Sequence, residues 1–253
     1  MTPAARTVAI IPARWASTRL PGKPLADIEG KPMIQHVYER TAAASLVDEV
    51  LVATDDERIV SAVRAFGGSA VMTPAHLPSG TDRVAHVAHG MHEATIIVNV
   101  QGDEPLIAPA MIDEAVRPLR EDATRDAGTL VKRIALQEEL MNPNVVKVVL
   151  GRNGNCLYFS RSPIPYGRDA APSGWTEGHT YYKHIGLYVF RRAFLLRLAA
   201  LPPTPLEQME KLEQLRILEH GHTIRAAVTE HDSVPVDTLA DLERVRSINR
   251  DKA

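Results

Sequence analysis

The 253-residue chain contains a single cysteine, Cys156. No disulfide framework can be built within it, which fits a reducing compartment. Cys156 itself reads as a small apolar core residue rather than a reactive thiol. An excess of charge of one sign is also missing: 29 Lys and Arg stand against 31 Asp and Glu, a formal net charge of -2. That balance excludes a general nucleic-acid or membrane-surface binder, whose footprint is basic, but leaves room for local basic patches aimed at small anions. No apolar run approaches the ~20 residues of a membrane-spanning helix. The first one, Val8 to Ile11, stops at Pro12 and Arg14, too short and too abruptly charged for a signal segment. A soluble cytoplasmic protein is therefore expected. Two glycine motifs are absent as well. Without GxGxxG there is no dinucleotide fingerprint, and without GxxxxGK[ST] there is no P-loop. Asp55-Asp56 stands where a ribose-binding acid would, but lacks that glycine context.

Hydrophobic residues make up 45% of the chain, enough for a sizeable core. One domain spanning residues 1–253 is expected, with a subdomain at about 145–200. Apolar runs alternate with amphipathic helical patterns in the first half. Val8 to Ile11, Glu49 to Thr54, Ala70 to Met72 and Thr95 to Val100 read as strands. Helices are expected from Pro32 to Arg40, from Glu57 with Ile59, Val60, Val63 and Phe66 on one face, and after a cap at Ser79. This rhythm predicts an α/β fold, a mostly parallel Rossmann-like sheet with helices on both faces. Further on, Val145 to Leu150, an Asn153-Gly154 turn and Cys156 to Arg161 read as a hairpin. Pro163 to Gly178 reads as a mobile or partner-facing loop. Lys183 to Phe190 is expected as a strand, Pro205 to about Glu219 as one helix, Ile224 to Val228 as a last strand, and Leu239 to Ile248 as a final helix.

The stretch IPARWASTRLPGKPL, from Ile11 to Leu25, stands out. It leaves the first strand and gathers three cations, Arg14, Arg19 and Lys23, the hydroxyls of Ser17 and Thr18, and the turn pair Pro21-Gly22. Backbone amides plus arginine forks and a lysine charge suit a triphosphate, and the first strand end is where such sheets bind phosphates. The bland alternative is a solvated basic loop. Asp103 follows the β-branched run TIIVNV and falls on the same sheet edge. A carboxylate facing a triphosphate is best explained by Mg²⁺; a turn or capping aspartate is the rival. Asp237 follows a short apolar stretch expected to emerge from a strand, precedes the last helix and can share that metal, or can cap the helix, a task Thr238 could perform instead. Arg83, Arg161, Lys183, His184, Glu213 and Gln214 cannot be assembled by spacing. Each alone reads more readily as a surface residue, and His184 as a satisfied core histidine.

These segments together resemble a known family. IPARWASTRLPGKPL, VATDD, SGTDR, VNVQGDEPLI, NPNVVKVVL, YFSRSPIPY, HIGLYVF, LEQMEKLEQLRILEHG and VDTLADLERV, in order from Val8 to Arg246, look like the 3-deoxy-manno-octulosonate cytidylyltransferases, or CMP-Kdo synthetases. The opening motif marks the wider sugar nucleotidyltransferase group; QGDEP, YFSR, HIGLY and LEQLR narrow it. The resemblance implies transfer of CMP from CTP to 3-deoxy-D-manno-octulosonate (Kdo) with release of pyrophosphate, a Mg²⁺ requirement, a role in lipopolysaccharide biosynthesis and a cytoplasmic homodimer. It implies that Arg14 and Lys23 hold the CTP phosphates, with Ala13 near the cytosine and Ser79 lining the nucleotide. Arg83, Gln101, Arg161, His184, Glu213 and Gln214 would serve the sugar acid, and Asp103 and Asp237 the metal. The hairpin and the Pro-rich loop would form much of the dimer contact. Trp15 departs from the tyrosine or phenylalanine familiar at that position.

In the implied reaction the anomeric hydroxyl of Kdo attacks the α-phosphorus in line. Such a transfer needs positioning and charge neutralisation more than a protein nucleophile, so no covalent intermediate and no obligatory histidine base are expected. Arg14, Lys23, Asp103 and Asp237 form the expected catalytic set. The rivals are the same chemistry on a sialic acid or an 8-amino Kdo analogue, a non-catalytic nucleotide-sugar-binding protein, and an NAD-dependent oxidoreductase, which the missing glycine fingerprint disfavours.

Overall fold

The computed structural model describes residues 5–16, 20–169 and 171–250. Its elements run β1 (Thr7–Ala13), β2 (Asp27–Ile28), β3 (Lys31–Pro32), α1 (Met33–Ala42), β4 (Glu49–Thr54), α2 (Glu57–Ala65), β5 (Ala70–Met72), α3 (Gly80–His89) and β6 (Ile96–Asn99). There follow α4 (Pro109–Glu121), β7 (Ala127–Arg133), α5 (Gln137–Met141), β8 (Lys147–Leu150), β9 (Cys156–Ser160), α6 (Trp175–Gly178), β10 (Tyr182–Arg191) and α7 (Arg192–Ala200). The chain ends with α8 (Pro205–Glu210), α9 (Leu215–Glu219), β11 (Ile224–Val228) and α10 (Leu239–Arg250).

The central sheet has the order β11-β7-β10-β6-β1-β4-β5. All neighbours are parallel except where β10 runs against β6 and β7. β1 lies between β4 and β6, so chain order reverses beside it: the chain steps outward through β4 and β5, then returns to β6 on the other side. In open α/β sheets the crevice beyond such a reversal is the binding position. The loops that leave the C-terminal ends of β1 and β6 are the basic loop and the QGDEP turn.

The two faces are covered differently. Ile34 and Val37 of α1, Ile59 and Val63 of α2, and Met111, Ile112 and Ala115 of α4 pack on one face. On the other lie Val84 and Val87 of α3, Phe194 and Leu198 of α7, and Leu215 of α9. Val148, Cys156 and Phe159 of the β8–β9 hairpin join this second core. β10 pairs with β6 at one end and with β8 at the other. The stretch expected as a subdomain is thus built onto the main sheet through one long strand, and its hairpin turn also meets β11, where the Ala226 N–H donates to the Gly154 carbonyl.

Three expectations are corrected. The helix expected over residues 205–219 is two helices, because Lys211 at the end of α8 has a left-handed backbone, φ 55°. The Pro163 to Gly178 loop is not a loose excursion: Trp175 and Tyr181 are buried with Ile134 and Leu140. Trp175 Nε1 also donates to the Gly167 carbonyl, and the Tyr181 hydroxyl to that of Pro165. Asp237 does not leave a strand end; it closes an extended segment that begins after β11. That segment is pinned by Val236, fully buried with Ile28, Met33, Leu242 and Val245, a burial worth about 1.5–3 kcal/mol. The helix α4 and strand β7, for which the sequence raised no expectation, complete the sheet.

Candidate active site

The basic loop is shaped by Gly22 and Trp15. Gly22 has φ 68°, and a Cβ there would lie 3.0 Å from the Trp15 ring. Its N–H donates to the Trp15 carbonyl, and the Arg58 guanidinium stacks 3.4 Å from the Trp15 ring centroid. Ser17, Thr18 and Arg19 lie outside the described residues. After β6 the turn comes very close to β1: a Cβ on Gly102 would sit 2.7 Å from the Pro12 carbonyl oxygen, so only glycine fits.

These constraints place Lys23 against both aspartates. Its Nζ donates to Asp103 Oδ2 at 2.6 Å, to Asp237 Oδ1 at 3.3 Å and to the Val236 carbonyl at 2.9 Å. The Val236 N–H donates to the Asp103 carbonyl at 2.8 Å, which ties together the two aspartate-bearing segments. Thr238 and Asp241 cap α10 reciprocally, so helix capping does not account for Asp237. Arg14 donates to the Pro78 carbonyl at 3.0 Å, at the mouth of α3.

Two adjoining clefts result. The first, about 380 Å³, is lined by Ala13, Arg14, Lys23, Gly80, Gly102 and Asp103, together with Gln101 and Asp237. The second, about 460 Å³, is lined by Arg161, His184, Tyr188, Lys211, Glu213 and Gln214, and shares Gly80, Gln101 and Asp237 with the first. The first is rich in charge at the sheet's switch point, as a phosphate site requires. The second is rich in mixed donors and acceptors, as a polyhydroxylated acid requires.

The sequence model of the family described as Cytidylyltransferase matches residues 8–224. The 3-deoxy-manno-octulosonate cytidylyltransferase of Geobacter metallireducens is 59% identical over 245 residues, covering 95% of this chain and 96% of that protein. That of Geobacter sulfurreducens is 59% identical over 242 residues, covering 94% and 96%. A solved CMP:2-keto-3-deoxy-manno-octonic acid synthetase complexed with CTP superposes with a TM-score of 0.92 at 46% identity, covering 98% of this chain and all of that one. The chain belongs to the 3-deoxy-manno-octulosonate cytidylyltransferase family.

Within that family frame, the residues singled out from sequence fall into distinct places. Ala13, Arg14, Lys23 and Asp103 meet in the first cleft; Arg161, His184, Glu213 and Gln214 meet in the second; Gln101 and Asp237 stand at their junction. Ser79 does not line the first cleft. Its hydroxyl caps α3 by accepting the Asp82 N–H, and Gly80 next to it faces the cleft. Arg83 is a correction: it is fully buried, bonded to Thr73 and paired with Asp55 at 3.1 Å, and lines neither cleft. A buried guanidinium needs such partners, although Nε has none among the described residues. Lys183 is likewise drawn away, to Glu139 and Asp232.

The helix break at Lys211 is what turns Glu213 and Gln214 into the second cleft. Glu213 accepts from the Thr81 hydroxyl at 2.9 Å, and burial raises its carboxyl above the ordinary value. Gln214 is buried, and its Nε2 has no partner among the described residues, a donor left for a ligand. Arg161 is fixed by Nε to the Glu210 carbonyl at 2.7 Å and by Nη1 to that of Pro143 at 3.1 Å. His184 is edge-on to Phe159 and tilted against Tyr188, and burial lowers its pKa to about 3, so the ring is neutral.

Sequence reading missed Lys211, Tyr188 and Asn99, and placed Thr81 of SGTDR with the nucleotide, whereas it lines the second cleft. Thr81 and Asn99 extend a polar chain: Gln101 Nε2 donates to Asn99 Oδ1, Asn99 Nδ2 to Thr81 Oγ1, and Thr81 to Glu213. The chain spans both clefts, and Asn99 on β6 had only its place in an apolar run to announce it.

Proposed function

We propose that the protein transfers CMP from CTP to Kdo, releasing pyrophosphate and giving CMP-Kdo for lipopolysaccharide biosynthesis. The observation that carries this reading is the pair of adjoining clefts joined at Gln101 and Asp237: a charged one at the switch point and a polar one beside it. A transfer between two bound substrates needs such a shared wall. The names of the family members supply the donor and acceptor.

In this reading Arg14 and Lys23 bind the triphosphate of CTP, and Ala13 lies by the base. Arg161 and Lys211 supply the positive charge that lets a carboxylate sit beside a triphosphate. Gln101, His184, Glu213 and Gln214 hold the sugar hydroxyls. The acceptor's anomeric oxygen then meets the α-phosphorus, and the bond to pyrophosphate breaks. No protein atom becomes bonded to phosphorus.

Magnesium belongs to the proposal. Two carboxylates and a main-chain carbonyl form a hard, all-oxygen donor set, and Mg²⁺ takes one or two carboxylates plus substrate phosphates. Among the described residues no group of three or more His, Cys, Asp or Glu is arranged to hold a metal. Asp103 and Asp237 would hold it, and it would supply charge neutralisation at the phosphates. Lys23, which lies between the two carboxylates, would then be available to the phosphate oxygens.

A homodimer and a cytoplasmic location complete the reading. Leu157 on the hairpin and Tyr166 on the Pro-rich loop are 61% and 76% exposed, apolar side chains suited to a second copy. Among the described residues no helix is long and apolar enough to cross a membrane. Pyrophosphate release from CTP and Mg²⁺ with Kdo, an 8-amino Kdo analogue or a sialic acid tests the function. Release with Kdo is expected; release only with sialic acid removes the acceptor assignment, and release with none removes the enzyme reading.

A further inference from the structure

Thr129 is buried at the centre of β7, opposite a fault in its partner strand. The β7–β10 register shifts between Ile185 and Tyr188, which leaves Gly186 and Leu187 without paired residues on β7. The Thr129 hydroxyl lies 2.8 Å from the Leu187 carbonyl and 3.3 Å from the Ile185 carbonyl. Both are acceptors only, and a buried carbonyl without a donor costs about 1–3 kcal/mol. The hydroxyl has one proton, and these carbonyls claim it.

The third neighbour of the same oxygen is His184 Nε2, at 2.9 Å. With its proton committed, the Thr129 oxygen can only accept, so Nε2 must carry the imidazole proton. The ring is neutral because burial suppresses its second proton, so Nδ1 holds a bare lone pair. Among the described residues Nδ1 has no hydrogen-bond partner and is not one of the buried polar atoms left without one, so it is accessible, and His184 lines the second cleft. The lone pair therefore opens into the cleft.

We propose that Thr129 fixes the tautomer of His184, so that Nδ1 accepts a hydrogen bond from a hydroxyl of the acceptor sugar. Thr129 is thus a positioning residue, acting through the imidazole without touching substrate. This rests on the reading of the second cleft as the sugar-acid site. The device favours a hydroxyl donor at that position and disfavours a ligand group that only accepts. A protonated histidine, or the other tautomer, would reverse that preference.

The test uses the full chain labelled with ¹⁵N-histidine, with the His184 signals assigned by their loss in His184→Asn. In the free protein at pH 7, His184 is expected as the Nε2–H tautomer, and the same in Thr129→Ser. Thr129→Val is expected to shift it toward the Nδ1–H form, and to raise KM for Kdo about tenfold, one hydrogen bond's worth, with KM for CTP unchanged. An Nδ1–H tautomer in the unsubstituted protein overturns the proposal, whatever the variants do. An unmoved tautomer in Thr129→Val, or an unmoved KM for Kdo beside a shifted tautomer, overturns it too. Failure of the function itself would show separately, as absent turnover with the tautomer as expected.

Discussion

The Lys23 ammonium lies 2.6 Å from Asp103, and the same nitrogen reaches Asp237 at 3.3 Å, so one cation holds two carboxylates from segments over a hundred residues apart. The lysine side chain is 15% exposed against 30% and 41% for the aspartates. The carboxylates are therefore the more open partners of the three.

Lys23→Ala should leave the fold intact by circular dichroism and severely impair turnover. Without the ammonium, Asp103 and Asp237 repel each other, so Mg²⁺ should raise the melting temperature of the variant more than that of the parent, by mass action on the folded state. Near-normal turnover would place Lys23 outside the phosphate site.

Asp103→Asn should lose at least about 10²–10³-fold in turnover, the usual range for removing charge aimed at a transition state. The Mg²⁺ concentration giving half-maximal rate should rise. Steady-state pyrophosphate release across a Mg²⁺ titration reads both, and an unchanged titration would remove the metal role.

Arg83→Met should act on stability. Breaking one partner of a buried ion pair costs about 3–5 kcal/mol, and at 2–4 °C per kcal/mol for a chain of this size the melting temperature should fall by roughly 6–20 °C. Asp55→Asn should do similar damage. An unchanged melting temperature with a raised KM for Kdo would return Arg83 to the sugar acid.

His184 supplies a pH dependence. Its pKa in the folded chain is about 3 against an ordinary 6.5, so the unfolded chain binds more protons between those values. Stability is complete above about pH 6.5 and falls as pH drops toward 3, by up to about 1.4 kcal/mol per pH unit. His184→Asn should lose less melting temperature between pH 7 and pH 5 than the parent. Equal losses would show that the ring is not buried neutral.

What was legible in the sequence was local. Glu49–Thr54 and Ile59, Val60 and Val63 announce themselves because strand and helix periods are written within a few residues. That the basic loop and Asp103 share one sheet edge was legible because each follows an apolar strand; their phosphate and metal roles remain part of the proposal. Lys211 was not, since a left-handed lysine carries no signal of its own; hence one expected helix became two, and Glu213 turned out to face a cleft. The burial of Arg83 was not legible because its partner Asp55 lies on another loop. Thr129 was invisible because its role comes from a register fault in β10. Pairings set by tertiary contact leave no mark at their own position.

The central claim is that the acceptor's own anomeric oxygen displaces pyrophosphate from CTP. Kdo labelled with ¹⁸O at that oxygen, incubated with CTP, Mg²⁺ and the protein, allows this to be read by ³¹P NMR. The expected result is a phosphodiester whose phosphorus signal carries the isotope shift of one directly bonded ¹⁸O, with unlabelled pyrophosphate. A diester without the label, label in pyrophosphate, or no diester at all would contradict it.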